Sequence, residues 1–290
     1  MIVHARAAPA GPQRVVVLGA HGFIGAALIA RLKQAGIPIL PLASKELDLA
    51  ASDAPGKLAR LLEPSDSVVM LAALTPDKGR DAGTLLRNVA MMQAVCAAFE
   101  ETGCAHLVYF SSDAVYGPGP SLVSEETPAA PQDFYGAMHL SRELMASGVK
   151  APLLVLRPTL VYGAGDPHNA YGPNRFRRAA REQGKIQLFG EGEETRDHIH
   201  VHDVAEIACL CLQHGSRGTL NVATGRSLSF RGVAELVAAQ SHKQPVEIAA
   251  GARTNPVTHR HYDVTALLKA FPGYRFISLE EGVARCHGAP

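Results

Sequence analysis

The 290-residue sequence predicts an α/β fold, a doubly wound parallel sheet with helices on both faces and a smaller, discontinuous C-terminal lobe. Short runs rich in Val, Ile and Leu, at 15–19, 37–42, 67–73, 106–111, 152–157 and 218–222, alternate with longer Ala- and Leu-rich stretches of helical period. Strands buried on both faces alternate in this way with the helices that cover them. The first run, Val15-Val16-Val17-Leu18, opens directly into Gly19-Ala20-His21-Gly22-Phe23-Ile24-Gly25 and then into Ala26–Leu32. A strand, a glycine-rich turn and a helix follow one another without a gap.

The later elements are read the same way. Leu85, Leu86, Val89, Met92 and Val95 approximate a helical stripe within 84–101, and 134–148 reads as a helix with Tyr135 near its start. Asp203 is expected to cap a helix over Val204–His214, with Gly215 as its stop. From Ala164 to Arg196 the composition shifts to Gly, Pro, Asn, Arg and Glu, while 201–223 again resembles the main layer. The expected division is therefore a flexible tail at 1–13, a nucleotide-binding domain at 14–163 plus 201–223, and a second lobe at 164–200 plus 224–290.

Bulk properties narrow the function. A formal net charge of +1 gives no strong attraction to nucleic acid or to a membrane surface. The stretch Val15–Ala30 is punctuated by glycine and falls short of the roughly 20 apolar residues a membrane span requires. Ala7-Ala8-Pro9-Ala10 looks like a cleavage site in isolation, but no charged-then-apolar leader precedes it. The five cysteines form no Cys-x-x-Cys pair, and their odd number argues against a disulfide framework. A reducing, cytoplasmic setting is expected.

The glycine turn carries the first chemical inference. Glycine lets the backbone approach a pyrophosphate, and a helix N-terminus offers it unpaired N–H groups, so a dinucleotide such as NAD or NADP is the expected ligand. A carboxylate after the second strand would bind the ribose hydroxyls of NAD, and a cation there would hold the 2′-phosphate of NADP. Ser44 and Lys45 at that turn lean toward NADP, while a one-residue shift would bring in Glu46 and reverse the preference.

The glycines stand as Gly-x-x-Gly-x-x-Gly, and further motifs follow in order: Leu71-Ala72-Ala73, Asn88, Ser111-Ser112-Asp113-Ala114-Val115-Tyr116-Gly117, Tyr135, Leu156-Arg157-Pro158 with Val161-Tyr162-Gly163, and Arg196-Asp197-His198-Ile199-His200-Val201-His202-Asp203-Val204-Ala205. From Arg14 onward the chain resembles the extended short-chain dehydrogenase/reductase family, in the branch of NAD-dependent epimerases, dehydratases and reductases that act on nucleotide sugars. That resemblance implies a Rossmann-type domain. It also implies a cofactor-binding set of Gly19, His21, Gly22, Phe23, Ile24, Gly25, Ser44, Lys45, Asp48, Leu49, Leu71, Ala72, Ala73, Asn88, Tyr135 and His139. Asp48 falls where the family contacts adenine; as a plain reading it is a loop cap.

By the same resemblance Ser112, four residues before Tyr116, would hydrogen-bond the sugar oxygen. Tyr135 would exchange a proton with that oxygen as hydride moves to or from the nicotinamide. The family has a lysine four residues after this tyrosine, where the chain has His139. A free tyrosine has a pKa of about 10, and lowering it to 7 takes roughly 4 kcal/mol of differential interaction. A neutral histidine supplies little of this. Arg142 shares a helical face with His139 and is a candidate for the missing charge. Asp113 matches the general acid of the dehydratases, but Ala114 replaces the glutamate that removes a proton there, which argues against a 4,6-dehydratase.

Asn174, Arg175 and Arg196 resemble family elements that cradle the nucleotide sugar, with Arg226 a further candidate. Arg196 otherwise reads as a surface ion pair with Asp197 or with Glu191, Glu193 or Glu194. His198, His200 and His202 would share one strand face, but no metal is expected, since the matching family segment uses none. Cys209 and Cys211 read as packing residues. The expected function is an NAD(P)-dependent nucleotide-sugar epimerase or ketoreductase, homodimeric through 84–101 and 134–148. The alternatives are an NAD(P)-binding sensor or scaffold weakened in redox chemistry by His139, and an isomerase that works without net hydride transfer.

Overall fold

Val15–Leu18 is buried throughout, as are Ser67–Met70 and His106–Phe110. Residues so placed have side chains pointing alternately to two opposite layers, and both layers are apolar here. The computed structural model describes residues 2–119, 121–241, 245–253 and 256–287. The chain begins β1 (Val15–Leu18), α1 (Phe23–Gln34), β2 (Ile39–Leu42), α2 (Ala54–Leu61), β3 (Ser67–Met70), α3 (Ala82–Thr102) and β4 (His106–Phe110). A 3-10 turn at Asp113–Val115 and β5 (Leu122–Val123) lead to α4 (Phe134–Ser147), β6 (Leu153–Pro158) and β7 (Leu160–Tyr162). Next come α5 (Pro173–Gln183), β8 (Lys185–Gln187), β9 (Thr195–His200), α6 (Val201–His214) and β10 (Gly218–Val222). Last are β11 (Ser227–Ser229), α7 (Phe230–Ala239), β12 (Glu247–Ala249), β13 (His261–Tyr262), α8 (Thr265–Ala270) and α9 (Leu279–His287).

The main sheet has the order β10-β6-β4-β3-β1-β2, and every pairing in it is parallel. Alternation along the strands builds two cores. Val15, Val17, Val69, Val108 and Leu156 join Leu28 and Leu32 of α1 and Val204, Ala208 and Leu212 of α6 on one face. Val16, Leu18, Val68, Met70 and Tyr109 meet Leu58 of α2 and Met92, Val95 and Phe99 of α3 on the other. Here the expected stripe on α3 is corrected. Its inner face runs through Thr84, Asn88, Met92, Val95 and Phe99, while Leu86 points outward, 66% exposed.

The smaller lobe has its own core of Phe176, Ile186, Leu188, Phe230, Val233 and Val237. Its β11-β9-β7 sheet runs beside the main one. Not all of 224–290 stays there, because Leu267 and Phe271 of α8 pack back into the first main core beside Leu220 and Val222. The stretch expected as a loose tail is also tied down. Val3 and Arg217 exchange backbone hydrogen bonds at 2.9 and 2.8 Å, and the His214 carbonyl accepts from Ala5 and Arg6. Carbonyls at the end of α6 lack partners within the helix, and this segment satisfies them.

Gly215 does end α6, in the left-handed conformation at φ 57°. The start differs from expectation, since α6 begins at Val201 and the ring of His200 accepts from the His202 N–H at 3.2 Å. Asp203 sits inside the first turn, where its carboxylate accepts from the Ile277 N–H at 3.0 Å and the Tyr274 hydroxyl at 2.8 Å. Burial raises its pKa to about 6. The carboxylate therefore clasps the C-terminal segment instead of capping the helix.

Under the main sheet's C-terminal edge lies a buried polar network. Arg157 of β6 donates to both oxygens of Glu143 on α4, at 2.9 and 2.6 Å, and to the Tyr116 hydroxyl at 2.9 Å. Ser111 donates to Glu143 at 2.5 Å, and Tyr116 donates to Asn221 of β10 at 2.7 Å. Removing one partner of a buried pair leaves the other charge uncompensated. We expect Glu143→Leu to lower unfolding free energy in urea by about 3–5 kcal/mol, with most of the loss recovered when Arg157→Met is added.

Candidate active site

A cleft of about 370 Å³ opens at the C-terminal ends of β1, β2 and β3. Chain order reverses there, with β2 and β3 on opposite sides of β1, and this is where open α/β sheets bind ligands. Gly19, His21, Gly22, Ser44, Asp48, Leu49, Leu71, Ala72 and Ala73 line it. Gly19 has φ +94°, and a Cβ there would lie 2.7 Å from the Ala72 nitrogen. A Cβ on Gly25 would lie 2.3 Å from the Gly19 carbonyl oxygen. Gly22 precedes α1 without any side-chain cap, so the first N–H groups of the helix face the cleft free of side-chain acceptors. These features fit a dinucleotide pyrophosphate.

Other members of the expected cofactor set are placed differently. Ile24 packs into the core, and Phe23 turns toward Gly163, where a Cβ would lie 3.2 Å from the phenyl ring. Lys45 is exposed and outside the cleft lining. The Glu46 carboxylate folds back to accept from the Ala43 N–H at 3.0 Å, leaving Ser44 at the rim. Asp48 accepts from the Ala50 N–H at 3.0 Å and still lines the cleft, so it closes a turn and faces the cavity together. Asn88 is buried and clamps Leu74, accepting from its N–H at 2.8 Å and donating to its carbonyl at 3.0 Å. It shapes the wall from behind.

The catalytic candidates meet where α4 passes the 3-10 turn. A Cβ on Gly136 would lie 2.2 Å from the Ala114 carbonyl oxygen, so only glycine lets the helix approach this closely. Ser112 accepts from the Ala114 N–H at 3.2 Å, which orients its hydroxyl at the turn's start. Burial raises the Tyr135 pKa to about 12, with Asp113 and Asp133 adding to the effect and Ser112 and Arg142 opposing it. The Tyr135 and His139 rings meet edge to face at 4.7 Å.

His139 is buried, its Nδ1 hydrogen-bonded at 2.7 Å to the Tyr109 hydroxyl. Burial, reinforced by Arg142, holds its pKa well below the usual histidine value. His139 is thus a neutral ring bound to Tyr109. Asp113 accepts from the Tyr262 hydroxyl at 2.6 Å, so its carboxylate is held by the far end of the chain.

On the lobe side, Arg196 donates to the Thr195 and Thr258 carbonyls, each at 2.8 Å, and to the Thr258 hydroxyl at 2.7 Å. It forms no ion pair with Asp197, Glu191, Glu193 or Glu194. Asp197 is fully buried and accepts from Thr224 and Arg226 backbone N–H groups. Asn174 is buried against Asp166 at 2.7 Å, Arg175 stacks over Tyr171 at 5.7 Å, and the Arg226 side chain is exposed. Between the loop after β3 and the loop after β7, Asp77 and His168 pair at 2.9 Å.

The three histidines do not share a strand face. His198 packs on Phe230, His200 lies against Tyr162, and His202 belongs to α6. Burial lowers the pKa of His198 and of His200 to about 4. Among the described residues, no group of three His, Cys, Asp or Glu side chains is arranged to hold a metal.

Residues 15–223 match the model of the NAD dependent epimerase/dehydratase family. The chain belongs to that family. It is therefore an extended short-chain dehydrogenase/reductase with a parallel Rossmann-like sheet. It is 32% identical to dTDP-6-deoxy-L-talose 4-dehydrogenase (NAD(P)(+)) of Kitasatospora kifunensis, covering 88% of each chain. It is 30% identical to ADP-L-glycero-D-manno-heptose-6-epimerase of Pseudomonas paraeruginosa, over 93% of this chain and 96% of that one. The solved structure of RMD from Pseudomonas aeruginosa complexed with NADPH superposes with a TM-score of 0.83 at 25% identity, over 95% and 98% of the two chains.

Several residues of this epimerase/dehydratase-family site escaped the sequence reading. Tyr109 was only a core strand position, and Thr258, Arg260 and Tyr262 lie in a stretch without periodicity. Arg260 nonetheless donates to the Gly117 carbonyl at 2.9 Å and the Asp113 and Tyr116 carbonyls at 3.3 Å, gripping the turn that carries Ser112 and Asp113. The close approach at Gly25 yields a binding prediction. Gly25→Ala should weaken binding of NADH or NADPH, whichever the native chain takes up, at least roughly tenfold in a fluorescence titration, because the displaced Gly19 carbonyl intrudes on the space a pyrophosphate would fill.

Proposed function

We propose that this chain transfers hydride at a ring carbon of a nucleotide-linked sugar, with Tyr135 as proton donor and acceptor and reduction of a keto-sugar as the favoured direction. The juxtaposition of Ser112 and Tyr135 carries this reading, with Tyr135 lining a second cavity that meets the glycine-walled cleft at Leu74. The bound nicotinamide supplies or accepts the hydride. Ser112 hydrogen-bonds the sugar oxygen, and Tyr135 gives that oxygen its proton as the carbonyl carbon gains hydride, so no free alkoxide forms. A phenol raised to about 12 is protonated at neutral pH, which suits donation. Elimination of water is disfavoured, since Asp113 is bound to Tyr262 and Ala114 offers no second carboxylate.

Two finer features support NADP over NAD. Glu46 is turned onto the Ala43 N–H, away from any ribose, and Ser44 is left at the cleft rim as a hydroxyl that tolerates a phosphate. The substrate arm rests on Arg196, whose fork is held by Thr258 and free of carboxylates among the described residues. The curated relatives are named for dTDP- and ADP-linked sugars, and a nucleoside diphosphate sugar is the substrate class proposed here.

We expect Tyr135→Phe to lower kcat by about 10²–10⁴-fold on an active nucleotide keto-sugar while NADPH affinity stays within about twofold. NADPH absorbance at neutral pH checks this with a panel of nucleotide sugars. Native protein that binds NADPH and turns over nothing in the panel would replace this reading with the sensor or scaffold one. A homodimer through α3 and α4 is part of the proposal, because Leu86 on α3 and Leu144 on α4, 66% and 67% exposed, lie on helices packed against each other. Light scattering should show a dimer that Leu86→Glu with Leu144→Glu converts to monomer.

A further inference from the structure

Arg142 is a fully buried side chain with no anionic partner among the described residues. It is 1% exposed, and its Nη2 donates to the Ala72 carbonyl at 2.9 Å while Nη1 reaches the Met138 sulfur at 3.7 Å. Nε has no hydrogen-bond partner among the described residues. The guanidinium lies 5.1 Å from the centre of the Tyr109 ring. The neighbouring Glu143 is already bound by Arg157 and Ser111. A buried cation of this kind is unfavourable by several kcal/mol, and a methionine would fill the same space without that loss. Packing alone does not explain an arginine here.

Its surroundings do. Tyr135, His139 and Arg142 follow at i, i+4 and i+7 along one face of α4. His139 is neutral and spends Nδ1 on Tyr109. The charged and titratable groups around Tyr135 are Asp113 from the turn after β4, Asp133 at the start of α4, Tyr109 from β4, the neutral His139 on its own helix, and Arg142. Arg142 in turn faces Tyr109 from β4, Tyr135 from its own helix and Cys96 from α3. Both carboxylates disfavour a phenolate, and Arg142 is the cation that favours one.

We propose that Arg142 is the positioning residue whose fixed positive charge stabilises the phenolate of Tyr135, with the Ala72 carbonyl tying that charge to the cofactor wall. The proposal rests on Tyr135 being the proton-transfer group. Arg142 stays charged throughout the neutral range, unlike a histidine, so the proton leaving or re-entering Tyr135 moves in a field that does not titrate. Its low-polarity setting strengthens the interaction.

The test reads Tyr135 directly. A fluorinated tyrosine, which ionises nearer neutrality, is placed at position 135 of the full chain and titrated by fluorine NMR without substrate or cofactor. Arg142→Gln keeps a donor for Ala72 and removes the charge, and Arg142→Lys keeps both. The Gln variant should titrate at least about one pH unit higher than the native chain, because removing a cation that favours the phenolate raises the phenol's pKa. The Lys variant should stay close to native, and His139→Lys added to the Gln variant should bring the midpoint back down.

Equal midpoints in the Gln and Lys variants overturn the proposal. Should the Gln variant fail to fold, Arg142→Met takes its place, since an apolar isostere of a buried unpaired cation is expected to be tolerated. If neither neutral variant folds while the Lys variant does, the charge is structural and the proposal falls. The titration needs no turnover, so a failure of the hydride-transfer reading is recognised separately, by an inert nucleotide-sugar panel.

Discussion

The bidentate pair between Arg157 and Glu143 is the interaction on which the arrangement of the site depends. It joins β6 to α4 in the interior, and through Ser111 and Tyr116 it also holds both ends of the catalytic turn. Tyr116 extends the same network to Asn221 on the edge strand β10. A buried ion pair gives little net stability against an apolar alternative, but it is satisfied in only one geometry. Here that geometry sets the height and rotation of α4 against the sheet. Gly136 then permits near-contact with Ala114, which puts Tyr135 beside Ser112.

With α4 fixed, the electrostatics of the site follow from which groups are already engaged. Glu143 is neutralised by Arg157 and cannot serve Arg142, although the two are adjacent in sequence. Asp113 is held by Tyr262, and His139 is spent on Tyr109. The Tyr135 phenol then sits in the field of one cation, Arg142, and of two carboxylates, Asp133 and the Tyr262-bound Asp113. The surface ion pairs, such as Lys57 with Asp53 or Arg285 with Glu281, are exposed and screened, and they have no part in this balance.

Much of this was legible in the sequence because it rests on short-range pattern. The six strands of the main sheet and the glycine turn declare themselves through unbroken apolar runs and fixed spacing, and five of the six strands lie within two residues of their expected ends, while β3 stops at Met70, three residues short of the expected 73. The cradle at Gly19, Gly22 and Gly25 and the pairing of Ser112 with Tyr135 were readable for the same reason. Long-range contacts were not. Asp203 looked like a helix cap because Asp is a common one, and only the folded chain brings Tyr274 and Ile277 to it. The first residues look loose by composition, yet open carbonyls at the end of α6 give them partners more than 200 positions away. Arg260 and Tyr262 carry no local signal, since their partners lie in the catalytic turn about 145 residues earlier.

Those long-range contacts are unequal in strength. At the catalytic turn the lobe is held by Tyr262 on Asp113 and by the three carbonyl contacts of Arg260, all partly or fully shielded from water. A hydrogen bond to a charged group in such a setting contributes about 1.5–3 kcal/mol. Between the loop after β3 and the loop after β7, Asp77 and His168 are each about one-third exposed, where a pair contributes about 0–1 kcal/mol. Tyr262 and Arg260 are therefore the stronger of the two sets of contacts, and they hold Asp113 and the carbonyls of Tyr116 and Gly117 in one position against the C-terminal segment.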